Sequence, residues 1–309
     1  MSSQGIPVID LRDHGADAAT HSRFVKTLGE GLERFGFVAV QGHGIPPTLL
    51  RQAYGAAQKA FDLPRAVKAT YETPENGRQR GYTSMYIEHA VDVEQPDLKE
   101  FWHVGRSLAP DHSLHISGDV PPNLMPAEVR SFEPVFQNLF LQMEDFANRL
   151  LDGVGEYLGL PDDFFRDMVT DGNSILRLIN YPDLSGVIVP PGAVRAAAHE
   201  DINLITVLPA STRPGLELLT REGEWMPVNA PPDVMVCDTG DMMALLTGGR
   251  LPATTHRVVN PPGADGGRMS MPFFLHPHPD HVLKPLWGEG RQVTARDFLR
   301  ERLEAIGVA

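Results

Sequence analysis

Apolar and polar positions follow two different rhythms along the chain, and the change comes near Ser174. Before it, helical spacing dominates. "IPVIDL" (Ile6 to Leu11) reads as a short strand. From His21 to Phe35 the apolar residues Phe24, Leu28, Leu32 and Phe35 recur at helical steps. "FGFVAVQGHGI" reads as a strand closed by Gly42 and Gly44, and Pro47 suits the first turn of a second helix reaching Leu63. Residues 78–106 read as irregular or as short strands. Val129, Phe132, Phe136, Leu139, Phe140, Met143, Phe146 and Leu150 then form one apolar stripe, which predicts a long packing helix. After Ser174, short strands alternate with Gly, Pro and Asp turns as far as about Leu283, and a last helix is expected over Thr294 to Ala305. This pattern predicts an antiparallel sandwich or barrel rather than a parallel sheet. The expected class is α+β with a mainly β core, a helical N-terminal part supporting two sheets. No repeat, low-complexity tract or linker divides the chain.

One strand-like run carries polar residues that need a reason. In "AAHEDINLITVL" (Ala197 to Leu208), strand alternation puts His199, Asp201 and Asn203 on one face. Glu200, Ile202, Leu204, Thr206 and Leu208 take the other. An imidazole nitrogen beside a carboxylate offers two ligands to a divalent metal. A third lies downstream in "TTHRVVNP": His256, with Gly248-Gly249 as a hairpin turn returning it to the same sheet system. Two histidines and one carboxylate with open positions form the facial triad of non-haem Fe(II) oxygenases. With 12 histidines in the chain, a lone His-x-Asp pair is a weak signal. Indeed "HPHPDH" contains another, His278 and Asp280. That pair, and a Zn(II) reading of His276, His278 and His281, lack a further ligand at regular spacing. The segment reads instead as an exposed strand end. In "GRMSMPFFL", Arg268 and Ser270 share a strand face, and a guanidinium with a hydroxyl suits a carboxylate. Tyr181, in "LRLINYPDL", is a phenol that could close the same pocket or serve as a half-buried core tyrosine.

Composition narrows the partners. The chain has 309 residues, 42% hydrophobic and 22% charged, as expected of a globular protein with a sizeable core. A net charge of -13 argues against a nucleic-acid partner, which calls for a basic patch. No run of about 18 apolar residues is present to span a membrane, and "MSSQGIPVIDL" has no export-signal pattern. The single cysteine, Cys237 in "VMVCDTGD", has apolar upstream neighbours and reads as a buried structural thiol rather than a nucleophile. It also excludes an internal disulfide, so a cytoplasmic setting is expected. Oligomeric state is not encoded legibly.

Together these residues resemble the isopenicillin N synthase-like family of Fe(II)- and 2-oxoglutarate-dependent dioxygenases. The likeness runs through "IPVIDL", "ERFGFVAVQGHGI", "AFDLPRAVKATY", "RGYTS", "PDLKEFW", "PGLELLTREGEWMPV", "DTGDMMALLTGGRLPATTHRVV" and "RMSMPFF", nearly the whole chain. It implies a single dioxygenase unit over 1–309, with an N-terminal helical and strand region over 1–110. The catalytic core over 174–285 is then a double-stranded β-helix, or jelly roll. His199, Asp201 and His256 fall on the family's three iron ligands. Arg268 and Ser270 fall on the pair gripping the distal carboxylate of 2-oxoglutarate, and Tyr181 on the tyrosine that helps. The implied cofactors are Fe(II), 2-oxoglutarate as cosubstrate and O2. The implied reaction oxidises an unactivated C–H of a small molecule, with release of succinate and CO2. Hydroxylation is its usual end; desaturation and ring closure are others.

"HEDINLITVL" and "INYPDL" stand nearer to isopenicillin N synthase itself, an oxidase that uses no 2-oxoglutarate yet keeps the Arg-x-Ser pair. An Fe(II) oxidase is therefore the alternative. The short segment after the last helix offers no glutamine tail like the one reaching the iron in that enzyme, which favours 2-oxoglutarate. A non-catalytic jelly-roll module has no need of iron ligands. A Zn(II) hydrolase needs a general base, and alternation turns Glu200 away. Arg80, Tyr82, His103 and Arg195 are candidate substrate contacts, each equally readable as surface or packing, and small Ala198 suggests space beside His199.

Overall fold

The computed structural model describes residues 5–88, 97–185, 194–259 and 266–305. The N-terminal part contributes β1 (Val8–Asp10), β2 (Phe37–Gln41), β3 (Gly81–Thr83) and β4 (Glu100–Gly105). The remainder contributes β5 (Ile175–Tyr181), β6 (Ala196–His199), β7 (Ile205–Pro209), β8 (Leu216–Leu219) and β9 (Trp225–Pro227). It ends with β10 (Met235–Thr239), β11 (His256–Val258), β12 (Arg268–Ser270) and β13 (Phe273–Leu275). Among the described residues these make a nine-stranded sheet, ordered β1-β2-β10-β7-β13-β5-β4-β3 with β12 also on β5. A four-stranded sheet, β6-β11-β8-β9, accompanies it. All pairings within the two sheets are antiparallel except β1 with β2. The two sheets with their supporting helices make the expected α+β jelly roll.

The large sheet sorts its side chains by alternation. Leu176 and Leu178, Ile205 and Val207, Met235 and Cys237, Phe273 and Leu275 point to the helices and form the main core. Phe37, Ile179, Tyr181 and Val236 point to the small sheet and pack with its Ala196, Leu216, Leu218 and Val258. The helix layer is built by α1 (Ala18–Phe35), α2 (Pro47–Phe61) and α3 (Phe132–Leu158). Asp17 caps α1 by accepting from the backbone N–H groups of Ala19 and Thr20, and Gly36, at φ 65°, ends it in the left-handed conformation. Pro47 opens α2 as its spacing predicts. The apolar stripe of α3 is buried between the large sheet and the helices α1 and α2, with Phe140 edge-on to Phe273 at 5.1 Å. It runs on past Leu150 through Leu151, Val154 and Leu158, while Val129 sits before the helix begins. α1 crosses α3 closely at Gly29, where a Cβ would lie 2.1 Å from the Tyr157 ring.

Two sequence expectations need correction. The run from Ala197 to Leu208 is not one strand. β6 ends at His199 in the small sheet, β7 begins at Ile205 in the large one, and residues 200–204 cross between them. The face assignment by alternation therefore fails, and Thr206 lies on the side of Asp201. Nor is Gly248-Gly249 a hairpin turn. Met242 and its neighbours form a helix, α4 (Asp241–Leu246), and the two glycines, at φ 60° and 82°, follow its C-terminus. The apolar run "MMALL" is too short for periodicity to separate strand from helix.

No helix among the described residues is long and apolar enough to cross a membrane. The last helix, α5 (Ala295–Ala305), starts within one residue of its expected position. Cys237 is fully buried on the helix side of β10, and burial pushes its thiol well above the ordinary range. It should react with an aromatic disulfide reagent roughly 100-fold more slowly in the native protein than in denaturant, since reaction requires local opening. Rapid native-state labelling would show the strand to be open.

Candidate active site

His199 and His256 face each other across the antiparallel β6–β11 pair. Each ring is tied back to its own backbone: His199 Nδ1 donates to the Ala197 carbonyl at 2.8 Å, and His256 Nδ1 to the Thr254 carbonyl at 3.1 Å. A carbonyl can only accept, so in the neutral rings Nδ1 holds the proton and Nε2 carries a lone pair. Both Nε2 atoms turn to one oxygen, Oδ1 of Asp201, at 3.8 and 3.7 Å. The other carboxylate oxygen accepts from the Thr206 hydroxyl. His199, Asp201 and His256 thus bring one ligand atom each within 4.8 Å of one another.

The crossing that carries Asp201 is held at its backbone. The N-terminal N–H groups of α4 have no partners inside the helix. Asp241 N donates to the Asp201 carbonyl at 2.7 Å, and Met242 N to that of Ile202 at 3.2 Å. Gly240 lets the two segments close, because a Cβ there would stand 2.3 Å from the Asn203 carbonyl oxygen. Asn203 stays on the inner side but spends its amide on the Ile205 carbonyl, at 2.9 Å, and on Thr206. Glu200 accepts from the Thr255 hydroxyl at 3.0 Å and lines the same cavity, so alternation does not turn it away.

Burial, together with the neighbouring His256, lowers His199 to about 4. Its edge opens on the cavity while protein encloses the rest, so the ring is neutral at physiological pH and its lone pair is available. Asp238, on the inner face of β10, is pushed well above the usual carboxylate range by burial and by nearby Asp201. Crowded carboxyls beside two lone pairs make a site that favours a divalent cation.

Arg268 and Tyr181 are register partners on β12 and β5. The guanidinium lies 5.0 Å over the Tyr181 ring, donates from Nε to the Arg213 carbonyl at 3.1 Å and from Nη1 to Ser270 Oγ at 3.2 Å. It is 1% exposed and makes no ion pair among the described residues. A buried guanidinium without a counter-ion fits an anionic ligand. Both groups of residues line one cavity of about 430 Å³.

Beside Tyr181, along the same face of the large sheet, lies a charged wall. Lys99 Nζ is 2.6 Å from Glu88 and 2.7 Å from Asp97. Arg177 lies between the rings of Phe101 and Phe274, at 4.4 and 5.4 Å, and pairs with Glu88 at 3.2 Å. It also donates to His103 Nε2 at 2.7 Å, while His103 Nδ1 donates to the Arg78 carbonyl at 2.9 Å. Burial and the Arg177 charge keep His103 well below its ordinary value, hence neutral. Of the four candidate substrate contacts, His103 lines the cavity. Tyr82 instead donates to buried Glu100, Arg80 to Asn173 at 2.9 Å, and Arg195 to the Gly266 carbonyl at 2.6 Å. The missed residues had a signal: Asp97, Lys99 and Phe101 precede His103 at every second position, the period of a strand face. Ala198 lines the cavity, as do Leu299, Arg302 and Leu303 of α5. In the rejected histidine segment, Asp280 pairs with Arg296 at 2.7 Å and His276 Nδ1 is tied to the Phe274 carbonyl at 3.2 Å. His276, His278 and His281 form no metal-holding cluster among the described residues.

Comparison with known proteins identifies the family. Residues 6–128 match the N-terminal model described as non-haem dioxygenase in morphine synthesis, and residues 173–277 match the 2OG-Fe(II) oxygenase superfamily. A 2-oxoglutarate-dependent dioxygenase of Monascus ruber is 30% identical, covering 97% of this chain and 95% of its own. A 2-oxoglutarate-Fe(II) type oxidoreductase of Emericella nidulans is 28% identical, covering 93% of this chain and 83% of its own. Among solved structures, a Caulobacter crescentus protein described as of the 2OG-Fe(II) oxygenase family superimposes with TM-score 0.86 at 35% identity, covering 97% of this chain and 98% of that one. A Neurospora crassa protein solved in complex with alpha-KG and thymine superimposes with TM-score 0.85 at 25% identity, covering 97% and 96%. The chain belongs to the 2OG-Fe(II) oxygenase superfamily and is a non-haem Fe(II), 2-oxoglutarate-dependent dioxygenase.

Proposed function

We propose that His199, Asp201 and His256 ligate the Fe(II), that Arg268, Ser270 and Tyr181 hold the distal carboxylate of 2-oxoglutarate, and that the substrate is a small polar molecule. The carrying observation is the aim of the two Nε2 lone pairs at a single oxygen of Asp201. When bound, the metal supplies the O2-dependent redox chemistry that oxidises a substrate C–H, usually to an alcohol, as 2-oxoglutarate becomes succinate and CO2. The chain's own task is positional. The carbonyls of Ala197 and Thr254 fix the ring tautomers, and Thr206 fixes the carboxylate rotation. Arg268, stacked on Tyr181 and steadied by Ser270 and the Arg213 carbonyl, neutralises an entering carboxylate.

The substrate side is supported by the wall of Lys99, Arg177 and His103. Their charges are already matched by Glu88 and Asp97, so the wall suits hydrogen-bonding groups better than a net charge. The thymine bound by the Neurospora relative supports a small, polar substrate of this kind. Residues 1–309 work as one unit in this reading. Region 1–110 adds β2 to the edge of β10 and His103 to the cavity, and the core over 174–285 carries the cofactor residues. The lone buried thiol supports a cytoplasmic setting.

Anaerobic Fe(II) titration with and without 2-oxoglutarate tests the assignment through the weak visible charge-transfer band of the chelate. Asp201→Ala should abolish the band and turnover while the circular dichroism stays native; an active variant would end the metal assignment. Arg268→Ala should raise the KM for 2-oxoglutarate on the order of 100-fold, the loss of a charge-assisted pair, with iron occupancy unchanged. An unaltered KM would return Arg268 to a structural role. Thr206→Val should weaken Fe(II) affinity roughly 10–100-fold, as expected for a group orienting a metal ligand, with 2-oxoglutarate affinity measured at saturating iron unchanged.

A further inference from the structure

A second convergence of metal-binding side chains lies away from the cavity. His14 sits in the short 3-10 helix Leu11–Gly15, His21 on α1 and Glu156 on α3. His14 Nε2 is 2.7 Å from Glu156 Oε1, and His21 Nε2 is 2.6 Å from Oε2. The His21 Nδ1 donates to the His14 carbonyl at 2.5 Å. The two rings stack at 5.1 Å and 28°, and His14 also leans on Phe24 at 5.4 Å. One donor atom from each residue lies within 4.8 Å of the others, a property shared among the described residues with the His199, Asp201 and His256 set.

We propose that His14, His21 and Glu156 form a second divalent-metal site that takes Zn2+. The His14 carbonyl accepts from His21, so Nδ1 of that ring holds a proton, and in the neutral ring Nε2 presents its lone pair to a carboxylate oxygen. A lone pair facing an anion at 2.6 Å requires a positive charge between them. Two ring N–H groups can meet the two oxygens separately; a divalent cation instead joins both imidazoles and the carboxylate at one point. His2Glu with a water in the fourth position is a Zn2+ donor set, and the three side chains, at 24%, 32% and 35% exposure, leave room for that water. Tetrahedral bonds of about 2.0 Å separate ligand atoms by about 3.3 Å, so Glu156 draws back by roughly half an ångström as the metal enters. Tying one ring nitrogen to a backbone carbonyl, with the other left for a metal, is the same device seen at His199 and His256. Glu156 is 135 and 142 residues from the two histidines, so the metal would staple the N-terminal segment and α1 to the long helix.

The test is calorimetric titration of the full-length protein with Zn2+ alone, at a pH above 7, where proton competition is weak. Wild type, freed of metal, should take two equivalents. A His199→Ala/Asp201→Ala variant, unable to hold iron, should still take one, and its Tm should rise by several degrees with Zn2+. Adding His14→Ala, His21→Ala or Glu156→Gln to that background should weaken the remaining binding at least tenfold and remove the Tm shift. The glutamine keeps the shape of Glu156 and one acceptor oxygen while removing the charge, so its effect reports chiefly the loss of an anionic ligand. In an otherwise wild-type chain, His14→Ala should lower the stoichiometry from two to one and leave dioxygenase turnover within about twofold. No binding in the His199→Ala/Asp201→Ala variant, or binding indifferent to the three further substitutions, would reduce the cluster to His–Glu ion pairs. A large loss of turnover in His14→Ala would overturn its separation from catalysis.

Discussion

The Asp201 carboxylate is where the constraints of this fold meet, because its two oxygens are committed to different tasks. Thr206 takes one, and the other is left between two imidazoles. That division depends on Thr206 standing at the start of β7 in the large sheet while His199 ends β6 in the small one. It therefore requires the chain to change sheets within five residues. A crossing so short leaves backbone groups unpaired, and burial would make them costly. The first N–H groups of α4 answer that need by donating to the carbonyls of Asp201 and Ile202. The helix's own unpaired donors and the loop's unpaired acceptors cancel, so the position of Asp201 is fixed by backbone as well as by side chain.

The rest of the molecule can be understood as support for that corner. Alternation in the large sheet separates a face packed by α1, α2 and α3 from a face turned to the small sheet. The inner face stays partly polar because Arg177, Thr206 and Asp238 occupy it, and an all-apolar inner face would have closed the cavity. Close packing on the helix side, down to the Gly29 contact with Tyr157, keeps the strands at fixed height. Rigidity is assembled on one face and chemistry exposed on the other.

How far the sequence discloses this depends on the range of the interaction concerned. The helices are legible because their stripes and first turns are local: Phe24 to Phe35 in α1, Pro47 in α2, Phe132 to Phe146 in α3. A His-x-Asp pair alone recurs at His278 and Asp280; the residues of the triad are legible by type because Arg268 and Ser270 and the ordered motifs accompany them. Their geometry is not. Asp201 and His199 meet through a change of sheet, which no period-two pattern encodes, and "DTGDMMALL" conceals a helix start whose value lies in the carbonyls it reaches. Lys99 was hidden differently, and His103 was legible as a polar candidate but not for its partners. They alternate correctly, but their partners Glu88 and Arg177 come from separate segments, and charge pairing across a sheet leaves no trace in either segment alone. The His14 and His21 pair shows the same limit, because Glu156 joins them only once α1 lies on α3.

The charges around the cavity are unequal in a way that constrains its chemistry. Lys99 and Arg177 are buried beside Glu88 and Asp97, so that end is neutral before anything enters. Arg268, equally buried, has only a hydroxyl and a carbonyl. Keeping such a guanidinium dehydrated costs several kcal/mol unless an anion arrives. On the proposed assignment that anion is the distal carboxylate of 2-oxoglutarate, and its binding offsets a cost already present in the fold. A substrate at the Lys99 end has no such deficit to relieve. Arg268 and the Lys99 group, on either side of Tyr181, thus differ in what they reward: charge neutralisation at one, hydrogen bonding and shape at the other.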